Sequence, residues 1–171
     1  AFVFDRPSGF DFAAGQYVHL ILPNPPHMDA GGNRRAFSIA SAVHEISELR
    51  FATRMTGSAM KRSLAEVALG TPVEILGPGG SFTLHEDASI PAVFIAGGIG
   101  ITPFRSILQD VVHRRLPHRI TLIYSNRKPA GAAFHEEFAE LVRGCPSVTY
   151  IPTMTQADKS RQAWSGERRY V

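Results

Sequence analysis

The rhythm of apolar and polar residues changes partway along this chain, near Ser89. Before that point, short apolar-alternating runs at Tyr17–Leu22, Arg35–Ala40, Leu49–Arg54 and Pro72–Leu76 are separated by Gly, Pro and Asn turns. Several short strands at such spacing predict a small antiparallel barrel or sandwich. One helix interrupts them, over 58–67, with Met60, Leu64 and Val67 on one face. After Ser89 the texture alternates between strand and helix. Ala92, Val93, Phe94 and Ile95 suit a strand covered on both faces. Phe104, Ile107, Leu108, Val111 and Val112 then repeat at helical spacing, predicting a helix from Pro103 to about Arg115. A strand over Arg119–Tyr124, a helix from about Ala132 to Arg143 stopped by Gly144, and a strand over Ser147–Pro152 complete the series. This βαβαβ order predicts a parallel sheet with right-handed crossovers.

The pattern therefore predicts two domains. Residues 1–88 form a small antiparallel β-barrel with one helix, and residues 89–171 a Rossmann-like α/β parallel sheet, with 77–91 as the joint. Three parallel strands are few for such a sheet, so the α/β part is expected to be truncated. The chain also opens at Ala1, already strand-like and without Met, so upstream residues are expected in a longer protein.

Composition narrows the classes. The 171 residues are 44% hydrophobic and 19% charged, an ordinary balance for a globular chain. One cysteine rules out an intramolecular disulfide framework and fits a reducing, cytoplasmic setting. No apolar run reaches the roughly 20 residues that span a membrane, so no membrane segment is expected. The net charge of +3 is spread over pairs such as Arg34-Arg35, Lys61-Arg62, Arg127-Lys128 and Arg168-Arg169, not gathered into a stripe. No nucleic-acid partner is expected on that evidence.

Three clusters carry candidate chemistry. In Arg35-Ala36-Phe37-Ser38, strand alternation sets Arg35 and Phe37 on one face and Ser38 on the other. A ring, a hydroxyl and a guanidinium for a phosphorylated aromatic ligand share these residues; an ordinary barrel strand explains them as well. Gly57-Ser58-Ala59-Met60-Lys61 opens the interrupting helix, where small residues leave amides free for an anion, or merely cap it. The third is Gly97-Gly98-Ile99-Gly100-Ile101-Thr102-Pro103, a strand–glycine turn–helix sequence with Thr102 as the expected N-cap and Pro103 as the first helical residue. A third glycine of the dinucleotide fingerprint is missing, so a phosphate site and a tight turn without ligand both remain open. Ser125 and Arg127 follow the next strand, at the end of an α/β sheet where ligands bind.

Taken in order, these residues resemble the ferredoxin–NADP+ reductase-like flavoprotein oxidoreductases, whose flavin barrel precedes a nicotinamide-binding domain. Arg35-Ala36-Phe37-Ser38 resembles the flavin motif, Gly15-Gln16-Tyr17-Val18 the strand entry of the barrel, and Gly57-Ser58-Ala59 the flavin-phosphate helix. Gly77-Pro78-Gly79-Gly80-Ser81-Phe82 resembles the segment closing the barrel, and the Gly97–Pro103 turn the pyridine-nucleotide loop. The resemblance implies bound FAD, with FMN the alternative, and NAD(P)H as hydride donor. It implies that Arg35 pairs with flavin phosphate, Phe37 lies against the ring system and Ser38 is the catalytic hydroxyl near the flavin N5. Ser58 and Ala59 offer amides to the pyrophosphate, and Ile39, Thr53 and Gly57 complete the flavin contacts. Gly97, Gly98, Gly100 and Thr102 seat the nicotinamide dinucleotide, with Ser125 and Arg127 at its ribose or 2′-phosphate. The implied reaction is hydride transfer to flavin and electron delivery to an acceptor that the chain does not identify. The alternative is an electron-relay or regulatory binding module of a larger protein. The Cys-Gly-Pro-type segment of the family has no counterpart here, since Cys145-Pro146 follows a helix and precedes a strand.

Overall fold

The computed structural model describes residues 1–168; Arg169 of the last basic pair and the end of the expected α/β unit lie outside them. Five strands and one helix occupy the first part: β1 (Phe2–Asp5), β2 (Tyr17–Ile21), β3 (Arg34–Ser38), β4 (Glu48–Phe51), α1 (Ala59–Glu66) and β5 (Glu74–Gly79). Strand β1 pairs antiparallel with β4, and β2 lies between β3 and β5 in a second antiparallel sheet. The Ala40 N–H donates to Arg50 O at 2.8 Å where the two sheets approach each other. Val18, Leu20, Phe37, Leu49, Phe51 and Met60 fill the space between the sheets and α1. The motif segments meet as well. Gln16 Nε2 donates to Gly80 O at 3.1 Å, and the Tyr17 ring lies where a Cβ on Gly80 (φ 97°) would come within 3.0 Å.

The second part has a core of its own, built from Ala92, Ile101, Phe104, Leu108, Leu122, Tyr124 and Phe138. Strands β6 (Ala92–Gly97), β7 (Ile120–Asn126) and β8 (Val148–Met154) pair in parallel in that order, joined by α2 (Thr102–His113) and α3 (His135–Arg143). The expectation of a strand covered on both faces needs correction. Ala92 and Ala96 are buried, but Val93 and Ile95 are 63% and 61% exposed. Two right-handed crossovers running in the same direction put both helices on one side of the sheet. Among the described residues nothing covers the other side of β6. The second helix also starts later than its apolar spacing predicts. A 3-10 turn, Pro129–Gly131, and Phe134 at φ 60° come first.

Arg105 ties the two parts together. It is 4% exposed, and its Nη1 donates to Ala40 O. Its Nε meets Glu137 on α3 at 2.8 Å, and Nη2 lies 3.7 Å from Glu45 in the loop before β4. His44 stacks on His113 at 3.8 Å beside it. Among the described residues, no helix is long and apolar enough to cross a membrane.

Candidate functional site

The glycine turn is the wall between two clefts. Gly98 to Ile101 winds as a 3-10 turn that runs directly into α2, with Gly98 at φ 52°. Thr102 is therefore the first residue of α2, not its N-cap. Ile101 holds that position, and the Thr102 hydroxyl donates back to Ile99 O at 3.3 Å.

On one side of the turn is a cleft of about 350 Å³ that gathers residues far apart in sequence. Arg35, Phe37 and Ser38 come from β3, Thr53 follows β4, Ser58 and Lys61 come from the start of α1, and Gly100 and Thr102 from the turn itself. On the other side a cleft of about 390 Å³ lies at the carboxyl ends of β6 and β7, lined by Gly97, Gly98, Ser125, Asn126, Arg127 and Arg54. Ile99 lines both. Gly97, Gly98, Gly100 and Thr102, expected in a single nucleotide site, thus divide between the two.

Several expected contacts differ in detail. Phe37 lines the cleft but is only 9% exposed, because its ring packs on Phe51 at 6.2 Å. Alternation carries Ile39 to the same interior face, where it is fully buried and lines neither cleft. Gly57, at φ 78°, supplies the turn into α1, and Ala59 is buried with its N–H on Asp29. Neither lines the cleft. Ser58 does, and its hydroxyl makes no capping bond to α1.

Arg54 and Asn126 were not legible as site residues. Arg54 follows β4 outside any motif, yet its guanidinium lies over the turn, where a Cβ on Gly98 would come within 2.5 Å of Nη2. Asn126 is 4% exposed and accepts from Arg54 at 3.5 Å. Beneath it, Tyr124 is fully buried, and burial pushes its phenol above the ordinary range, so it is a neutral group at physiological pH. Gly97 and Gly100 differ from the other turn glycine. Neither has a positive φ, and a Cβ on either would meet nothing within 4 Å. The fold itself does not require glycine there, whereas a ligand held against the backbone would.

Comparison with known proteins identifies the family. Residues 94–171 match the family model described as the oxidoreductase NAD-binding domain. The chain is 33% identical over 171 residues to ferredoxin–NADP reductase B of Sorangium cellulosum, covering 98% of the chain and 67% of that protein. It is also 33% identical over 169 residues to the reductase component of phenol 2-monooxygenase from a Pseudomonas species, covering 98% of the chain and 45% of that protein. Among solved structures it resembles a ferredoxin NADP+ reductase from Neisseria gonorrhoeae with bound FAD and NADP. The TM-score is 0.75 and the identity 28%, over 98% of this chain and 66% of that one. The matched relatives are reductases by name, one of them an NADP reductase. The chain belongs to the ferredoxin–NADP reductase-like family.

Proposed function

We propose that the chain is a flavin-dependent NAD(P)H oxidoreductase module, with a flavin barrel over 1–88 and a nicotinamide domain over 89–171. Its first relatives are longer proteins, so the acceptor of the whole protein is a separate matter. The observation that carries the proposal is the shared wall. The Arg35–Ser38 strand and the Ser125/Arg127 strand end open onto opposite sides of one glycine turn.

The residues present fit a flavin. The first cleft has two cations, Arg35 and Lys61, beside the start of α1, and four hydroxyl residues, Ser38, Thr53, Ser58 and Thr102, along its walls. A phosphorylated aromatic ligand needs that division: charge at one end, and hydrogen-bonding groups along its polar rim. The second cleft fits a dinucleotide through the open backbone at Gly97 and the Arg127 guanidinium. Bound flavin would accept hydride and release electrons singly, chemistry that no side chain here provides. The protein positions and insulates. Ser38 would donate to the flavin rim near N5, and Lys61 and Arg35 would balance phosphate charge beside the start of α1, where Ser58 lines the cleft. Gly98 lets the backbone turn tightly between the clefts. Ser125 and Arg127 hold the ribose end, and a guanidinium suits a 2′-phosphate.

The test is reconstitution. The purified chain is incubated with FAD, freed of excess ligand, and titrated anaerobically with NADPH and with NADH. A yellow protein that bleaches with either nucleotide is the expected result. A chain that stays colourless with FAD and FMN refutes the flavin site. One that binds flavin but never bleaches is a relay or regulatory module.

A further inference from the structure

The loop before β3 lays an acid across the groups that the flavin site reserves for phosphate. Asp29 Oδ1 accepts from Arg35 Nη2 at 2.8 Å and from the Gly31 N–H at 2.9 Å. Its Oδ2 accepts at 3.2 Å from the N–H of Ala59, the first residue of α1. The other end of the guanidinium is occupied too. Arg35 Nη1 donates to Gly31 O at 2.5 Å, Gly32 O at 3.0 Å and Arg34 O at 2.8 Å. Both terminal nitrogens of Arg35, the residue that should greet a phosphate, are thus held by its own loop.

The engagement has the chemistry of an anion site. A carboxylate bridging a guanidinium and a helix-opening amide makes the contacts that two oxygens of a phosphate would make. The Asp29 carboxyl titrates below its ordinary 3.8, because the Gly31 and Ala59 amides, and then Arg35, favour its charged form. Yet Asp29 belongs to a surface loop, and its side chain is 39% exposed, so nothing packs it in place. Close backbone approach completes the arrangement. A Cβ on Gly31 would lie 2.2 Å from Arg35 Nη2, so glycine there lets the loop fold over the guanidinium.

We propose that Asp29 is an internal phosphate surrogate, which holds the phosphate position of the flavin cleft in the free chain and is displaced by a phosphorylated flavin. The inference rests on the flavin reading of that cleft. The surrogate makes the cleft discriminate by phosphate. FMN and FAD exchange one anion for another on Arg35 and Ala59, whereas riboflavin, lacking phosphate, leaves Asp29 where it is. It also keeps two strong donors from standing unpaired when no flavin is bound.

The experiment measures binding of FAD, FMN and riboflavin to the whole chain and to its Asp29→Asn variant. Asparagine keeps the shape and still accepts from Ala59, but it no longer competes as an anion. FAD and FMN should bind the variant about tenfold tighter, which corresponds to about 1.4 kcal/mol. Riboflavin affinity should not change. In the unaltered chain, FAD should speed hydrogen exchange at the Gly31 amide, which loses its acceptor, and leave the Ala59 amide protected. This readout does not depend on how the variant folds. Equal or weaker FAD binding by a folded variant, or unchanged exchange at Gly31, overturns the surrogate while leaving the flavin site intact. Failure of both proteins to bind any of the three flavins overturns the flavin site, and the surrogate with it.

Discussion

Replacing Arg105 by Met removes the charged pin between the two parts of the molecule while keeping the length of the side chain. In the native structure the guanidinium is 4% exposed and serves Ala40 O, Glu137 and Glu45, and it sits 5.3 Å over the Phe134 ring. Breaking a fully buried ion pair costs roughly 3–5 kcal/mol. Two facts lower that figure here. Glu137 and Glu45 are 31% and 28% exposed and can turn to water, and Glu137 keeps the donation from Gln109 at 2.7 Å. What cannot be recovered is the partner of Ala40 O, a loss of about 1–3 kcal/mol, and the contact with the Phe134 face, about 0.5–1 kcal/mol. The variant should therefore lose about 1.5–4 kcal/mol. Urea unfolding followed by Trp164 fluorescence and by circular dichroism measures it, and the midpoint should fall with little change in slope. Arg105→Lys, which keeps the charge but not the fork, should fall between. A loss below about 0.5 kcal/mol for the Met variant would mean that Arg105 behaves like an exposed ion pair, and the pin would be refuted.

Four further outcomes follow from the clefts. Gly97→Ala and Gly100→Ala should leave stability within about 0.5 kcal/mol, since an added methyl meets nothing, yet weaken NAD(P)H or flavin binding; unaltered ligand affinity in both would remove the case for a backbone-hugging ligand. Gly98→Ala should instead cost about 1–2 kcal/mol of stability, because φ is 52° and Arg54 must move aside, and a thermal melt reads it directly. Ser38→Ala should slow flavin reduction about tenfold or more in rapid-mixing experiments with FAD affinity nearly unchanged. Arg127→Ala should lower the rate with NADPH more than the rate with NADH, and equal losses would take the 2′-phosphate away from Arg127.

Much of this arrangement was legible in residue order. Period-two runs and helical spacing located the strands and helices to within a few residues, because each element buries one regular face. Alternation sets Arg35 and Phe37 on one side of β3 and Ser38 on the other, yet all three line one cleft at this end of the strand. What escaped were features that depend on distant residues. The burial of Arg105 is created by Glu45 and Glu137, neither of them near in sequence. The Asp29 contact comes from a Pro- and Gly-rich loop whose composition announces only a turn. Thr102 and Pro103 look like a cap and a first helical residue, but the glycine turn already coils, so the cap moves to Ile101. At α3, apolar spacing continues through Phe134, whose left-handed backbone breaks the helix; periodicity carries no information about that torsion.

The central claim is that a flavin and a nicotinamide come into contact at the edge of the turn, beside Ile99, which lines both clefts. The most direct measurement is a single anaerobic turnover of the FAD-loaded chain with NADPH, or NADH if that is faster, carrying deuterium at the transferred position of the nicotinamide. Direct transfer between the two clefts predicts flavin bleaching that deuterium slows. Bleaching that needs an added mediator, or none at all from a chain saturated with both ligands, would contradict it.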